Sequence, residues 1–193
     1  STADFKKSGA RFVKLRLDAD APISWALKSR YKVGGYPTII FAASDGDEIR
    51  RVVGYREKKL FIKEMDQAWN ERDQSFTKLL AKATAGDRAA ADRVGLTYLE
   101  RREFADAARL LDKSVAHLEQ WYAAEIGRLE AEESSGNKNA KPIRLATIEK
   151  SIAQFSASPE SLGLRSQLAG LYDERGERGD KDKSKATTEA LIK

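Results

Sequence analysis

Every strand-like pattern in this chain lies before residue 54, and after residue 75 every repeating pattern has helical spacing. That asymmetry limits any sheet to the first part of the molecule. Pro37-Thr38-Ile39-Ile40-Phe41-Ala42 reads as a strand, Asp45-Gly46 as a tight turn and residues 49–53 as a returning strand, so the three predict an antiparallel hairpin. Residues 12–17 alternate, sending Val13, Leu15 and Leu17 to one face and Lys14 and Arg16 to the other, which predicts a further, half-covered strand closed by Asp18 and Asp20. Pro22 suits the first turn of a helix whose apolar side is Ile23, Ala26, Leu27 and Tyr31 and which Gly34-Gly35 ends. After Gly54, residues 58–69 place Phe61, Met65, Ala68 and Trp69 on one helical stripe. The expected order is strand, helix, hairpin, helix.

A boundary follows near residues 70–75. Beyond it Phe76, Leu79, Leu80 and Ala83 mark one helix and Val94, Tyr98 and Leu99 another. The longest signal runs from Phe104 through Ala108, Leu111, Val115, Leu118, Tyr122 and Ile126 to Leu129, which predicts one helix of roughly seven turns. Residues 134–139 form a polar loop, Leu145, Ile148, Ile152 and Phe155 mark the next helix, and Ser158-Pro159 opens another carrying Leu164, Leu168, Leu171 and Tyr172. Residues 176–183 read as a charged turn before a last short helix.

Composition removes several classes of function. The 193 residues include no cysteine, so these residues supply no disulfide, thiolate metal site or thiol nucleophile. The net charge is only +5 and both signs intersperse along helical stretches, a solvated surface rather than a nucleic-acid footprint. No apolar run approaches the ~18 residues of a membrane span, and no signal peptide opens the chain. His117 is the only histidine, and neither Asp112 nor Glu119 stands at a ligand spacing from it, so no metal is expected. Trp25, Trp69 and Trp121 read as interior aromatics before they read as exposed anchors. There is no Gly-rich phosphate loop, nucleophile elbow or zinc-protease pattern, and no cofactor or catalytic residue is assigned.

Val33-Gly34-Gly35-Tyr36-Pro37-Thr38-Ile39-Ile40-Phe41, preceded by the Asp-ended residues 12–20 and followed by Gly46 and Val53-Gly54-Tyr55, resembles the thioredoxin and protein-disulfide-isomerase family. The resemblance implies an α/β fold in residues 1–72, the C-terminal part of a thioredoxin-like domain, with a cis bond before Pro37. It also implies that Gly35, Tyr36, Pro37 and Thr38 present backbone hydrogen-bonding groups to an extended substrate. The family's Cys-x-x-Cys element, the strand before it and most of the following helix would lie ahead of Phe12. The strand missing from this half would separate residues 12–17 from residues 38–42. An N-terminally longer protein, a rearranged sheet or strand exchange between two copies would each fill that gap.

Val94, Gly95, Tyr98, Phe104, Ala107 and Leu111 resemble one tetratricopeptide unit, and Leu168, Ala169 and Tyr172 with Gly176 the start of a second, so residues 73–193 are expected to form an all-α, TPR-like extension; an irregular helical bundle accounts for the same pattern. Two functions follow from these resemblances. One is a thiol–disulfide oxidoreductase or redox folding factor whose cysteines precede Ser1, in the periplasm or otherwise exported, with the cytoplasm as the alternative. The other is a redox-inactive protein-binding module with a helical docking domain. Either has a protein client and neither has a nucleic-acid partner; strand exchange or a homodimer is a further expectation.

Overall fold

A computed structural model describes residues 2–190. In chain order its elements are α1 (Thr2–Gly9), a 3-10 turn (Pro22–Ser24), α2 (Trp25–Arg30), β1 (Thr38–Ala42), β2 (Glu48–Val53), α3 (Lys58–Asn70), α4 (Phe76–Thr84), α5 (Arg88–Glu100), α6 (Phe104–Leu111), a second 3-10 turn (Val115–His117), α7 (Leu118–Ser134), α8 (Ala140–Gln154), α9 (Glu160–Arg175) and α10 (Asp180–Glu189). Among the described residues the sheet is one antiparallel pair, β1 with β2, and 64% of the chain is helical. The fold is therefore mostly α. The expected α/β thioredoxin-like fold followed by a TPR-like domain is overturned by this two-stranded sheet set among ten helices.

The correction has a local cause. Residues 12–17 take no strand conformation, because no strand lies beside them to satisfy their backbone groups, and an isolated extended segment gains nothing from its alternating pattern. The hairpin forms as expected, with Ile39 opposite Val52, Ile40 opposite Arg51 and a bulge after Phe41 that places Ala42 opposite Glu48. Gly46 turns it at a φ of 79°, which a glycine adopts without steric cost.

The chain divides into two compact units, Ser1–Leu110 and Leu111–Lys193. In the first, one face of the hairpin carries Phe41 and Val52 onto Met65 and Ala68 of α3, with Phe5, Phe12, Phe61 and Ile62 packed around them. Each large side chain fully buried there contributes about 1.5–3 kcal/mol. The α3 stripe is therefore the core-facing side that its 3.6-residue period requires. Ser8 of α1 donates from Oγ to Asp66 of α3 at 3.0 Å, and the Phe5 and Phe61 rings stack at 6.1 Å. A second cluster joins Leu79 of α4 to Ala90 and Val94 of α5. The helix of α5 starts at Asp87, whose carboxylate accepts from the Ala90 N–H at 3.0 Å.

In the second unit Ile126 of α7, Leu145 and Ile148 of α8, and Leu168, Leu171 and Tyr172 of α9 share one core. Pro159 is the N-cap of α9, Ser158 just before it accepts from the Glu160 N–H at 3.3 Å, and Gly176 ends the helix at a φ of 65°.

Two further expectations fail. The single long helix over residues 104–129 is broken into α6 and α7, because Lys113 takes a left-handed φ of 63° and Val115, counted in the apolar stripe, faces solvent. The TPR-like pairing also fails. The close helical hairpin is α4 with α5, joined by residues 85–87, rather than α5 with α6, and in the second unit α7 packs on α8 and α9 on α10.

Candidate functional site

The residues expected to hold a substrate lie where β1 begins. Tyr36 and Pro37 are exposed, Gly35 and Thr38 half-buried, and the Tyr36–Pro37 peptide bond is cis. Thr38 donates from Oγ1 to the Gly35 carbonyl at 2.6 Å, closing the turn. The Lys28 ammonium of α2 stands 5.4 Å from the centre of the Tyr36 ring. A hydrogen bond to Tyr36 raises the Lys28 pKa above its ordinary value.

Gly54 donates its N–H to the Pro37 carbonyl at 2.8 Å, and that bond sets the phase of the ladder. Ile39 and Phe41 turn their backbone groups toward β2, whereas Thr38, Ile40 and Ala42 turn theirs the other way. On that other side β1 has no partner among the described residues. β2 differs, because α3, α4 and α5 pack against it. Val13, Leu15 and Leu17 are 100%, 75% and 45% exposed. Phe12, at the head of this segment, is anchored with its ring 5.4 Å from that of Phe41. β1 thus has an open edge, and Phe12 ties the exposed residues that follow it to Phe41 of β1.

A buried ionic cluster lies under the opposite face of the hairpin, and its chemistry was not foreseen. Glu48 chelates Arg51 through both carboxylate oxygens at 2.6 and 2.7 Å and accepts from Arg101, past the end of α5, at 2.7 Å. Arg51 also donates to the Tyr31 carbonyl at 2.6 Å. The Arg101 guanidinium lies 3.9 Å over the Phe76 ring. Nearby, Glu100 is open to solvent over more than a third of its residue surface, yet its carboxyl is pushed up to about 7, by burial first, with Arg51 opposing and Glu48 adding. Its open side screens the effect, so little stability hangs on it. In sequence, Glu48, Arg51 and Arg101 look like ordinary surface charges; positions three apart on a regular strand face opposite ways, and only the bulge at Ile49 brings Glu48 and Arg51 to one face.

Trp69 and Trp121 are half-buried, but Trp25 is 59% exposed, which corrects its assignment to the interior. It lines a cleft of about 500 Å³ with Lys28, Ser29, Lys32, Val33, Gly34 and Arg101. His117 stands at the start of α7 as its N-cap, and among the described residues no three His, Asp or Glu side chains gather as a metal site. No described helix is long and apolar enough to cross a membrane.

The chain matches no protein-family model, no curated protein and no solved structure.

Proposed function

We propose that this chain is a polypeptide-docking module whose first unit takes an extended segment of another protein along the free edge of β1. The observation that carries the reading is the unpaired edge itself, with Thr38, Ile40 and Ala42 turned toward it and Val13, Leu15 and Leu17 exposed nearby. An added strand would supply the missing backbone partners and cover apolar surface in one step. The exposed Lys14 and Arg16 alternate with the apolar residues, so the complementary partner alternates apolar with acidic side chains.

The test is amide exchange during titration with a short peptide alternating Val and Glu. Slower exchange at Thr38 and Ile40, with Ile39 and Phe41 unchanged, is the expected result. Binding that leaves those two amides unprotected, or no binding, overturns the reading.

A second reading gives the docking a redox purpose. It is favoured by the exposure of Tyr36 and Pro37 at the entrance to the open edge, the segment resembling thiol–disulfide oxidoreductases. A thiolate from outside these residues would attack a client disulfide, forming a mixed disulfide and releasing the client's other sulfur as a thiolate. Mass spectrometry of the natural protein, trapped with its client, would detect that mixed disulfide. A natural protein without a thiol leaves the docking reading alone.

A further inference from the structure

The cleft between α2 and the residue following α5 has a one-sided charge. Lys28, Lys32 and Arg101 line it, with Ser29 adding a hydroxyl and Trp25 an indole, and no carboxylate takes part in the lining. Among the described residues neither Lys28 nor Lys32 has a carboxylate within ion-pairing distance. A further cation, Arg102, packs its side chain toward Gly34 at the rim, and it too lacks an ion pair. Lys32 is held there by a left-handed backbone, with a φ of 49°, a conformation that residues with a side chain seldom adopt.

Lys28 and Lys32 bring like charges to one open cleft, whose access to water weakens the repulsion between them. A bound anion removes that repulsion. Arg101 is held by Glu48, with Glu103 3.9 Å away and the Phe76 ring beneath it, so its charge is already answered and it offers the ligand a positioned donor at little cost in side-chain freedom. The volume falls within the roughly 300–1,000 Å³ of small-molecule sites. An exposed indole in such a cleft offers a flat apolar face next to the cations.

We infer that this cleft binds a small molecule carrying an oxoanion on a planar ring: Lys28, Lys32 and Arg101 hold the anionic group and Trp25 stacks on the ring. The cleft shares Lys28 with the Tyr36 contact at the entrance to the β1 edge, but no β1 residue lines it, and the inference does not depend on the docking reading.

The test titrates the full chain with adenosine monophosphate, inorganic phosphate and a short oligoadenylate at low ionic strength, following heat and tryptophan fluorescence. Expected is saturable binding of the monophosphate at millimolar concentration or below, tighter than inorganic phosphate. Lys32→Glu and Lys28→Glu should each weaken it about tenfold or more while the melting temperature holds. Trp25→Leu should lower monophosphate affinity to the level of phosphate and leave phosphate binding unchanged. No saturation, an affinity indifferent to both lysine reversals, or equal affinities for the two small anions would overturn the assignment. Tighter binding of the oligoadenylate than of the monophosphate would overturn it in favour of a nucleic-acid strand.

Discussion

The Asp47 carboxylate, in the hairpin turn, accepts a hydrogen bond from the Thr77 N–H in the first turn of α4 at 3.1 Å. A helix begins with N–H groups that have no partner within it, and here a residue thirty positions earlier supplies one. The contact works as a helix cap delivered across the tertiary structure. Asp47→Ala should cost about 1 kcal/mol, read as a lower urea midpoint with an unchanged slope.

The same carboxylate makes stability depend on pH. Burial works to raise its pKa, and hydrogen bonds from Ser75, Thr77 and the Glu48 backbone outweigh burial and hold it below the ordinary 3.8. A depressed acid contributes fully above its unfolded value and loses that contribution as pH falls through the folded one. Urea titrations should therefore show the difference between the protein and its Asp47→Asn variant shrinking below about pH 3.8, with little change between pH 5 and 7.

Removing the Glu48 charge should be the most damaging single change in the first unit. Glu48→Ala leaves Arg51 buried without its carboxylate and Arg101 with only Glu103, 3.9 Å away, and breaking such a pair typically costs about 3–5 kcal/mol. Chemical denaturation should show the loss, and a variant as stable as the parent would mean that the two guanidiniums find other partners.

Strand addition at β1 can be blocked without breaking the hairpin. Ala42 is exposed and turns its N–H away from β2, so Ala42→Pro removes a donor only from the open edge. Peptide binding should fall by tenfold or more while the melting temperature moves by a few degrees at most. Ile39→Pro, which removes a ladder bond, should instead lower the melting temperature.

Changing Val13, Leu15 and Leu17 together to Ser should leave unfolding free energy within about 0.5 kcal/mol per site, because their side chains are largely in water. Affinity for the alternating Val and Glu peptide, followed by calorimetry, should fall instead.

Periodicity located the elements it could reach. The α3 stripe of Phe61, Met65 and Ala68 and the Asp45-Gly46 hairpin depend on neighbours a few residues away, and both stand where the pattern puts them. Residues 12–17 have a strand's alternation, but a strand exists only where another pairs with it, and pattern alone does not supply that partner. Between Leu111 and Leu118 the apolar spacing continues while the backbone does not, since the left-handed Lys113 interrupts it. At the candidate sites, Tyr36, Pro37 and Thr38 were legible as a segment, and the gathering of Lys28, Lys32 and Arg101 was not. That gathering joins positions some seventy apart in the chain.

The buried trio of Glu48, Arg51 and Arg101 also bears on how this protein can diverge. Glu48 binds both guanidiniums in a space largely closed to water, with Glu103 adding a more distant partner for Arg101 alone, so a neutral residue at position 48 strands the Arg51 charge. Drift at these three sites should therefore be concerted. In a set of related sequences they should appear either all present or replaced together by apolar residues of similar bulk, and an isolated exchange at position 48 should be the rarest pattern of all.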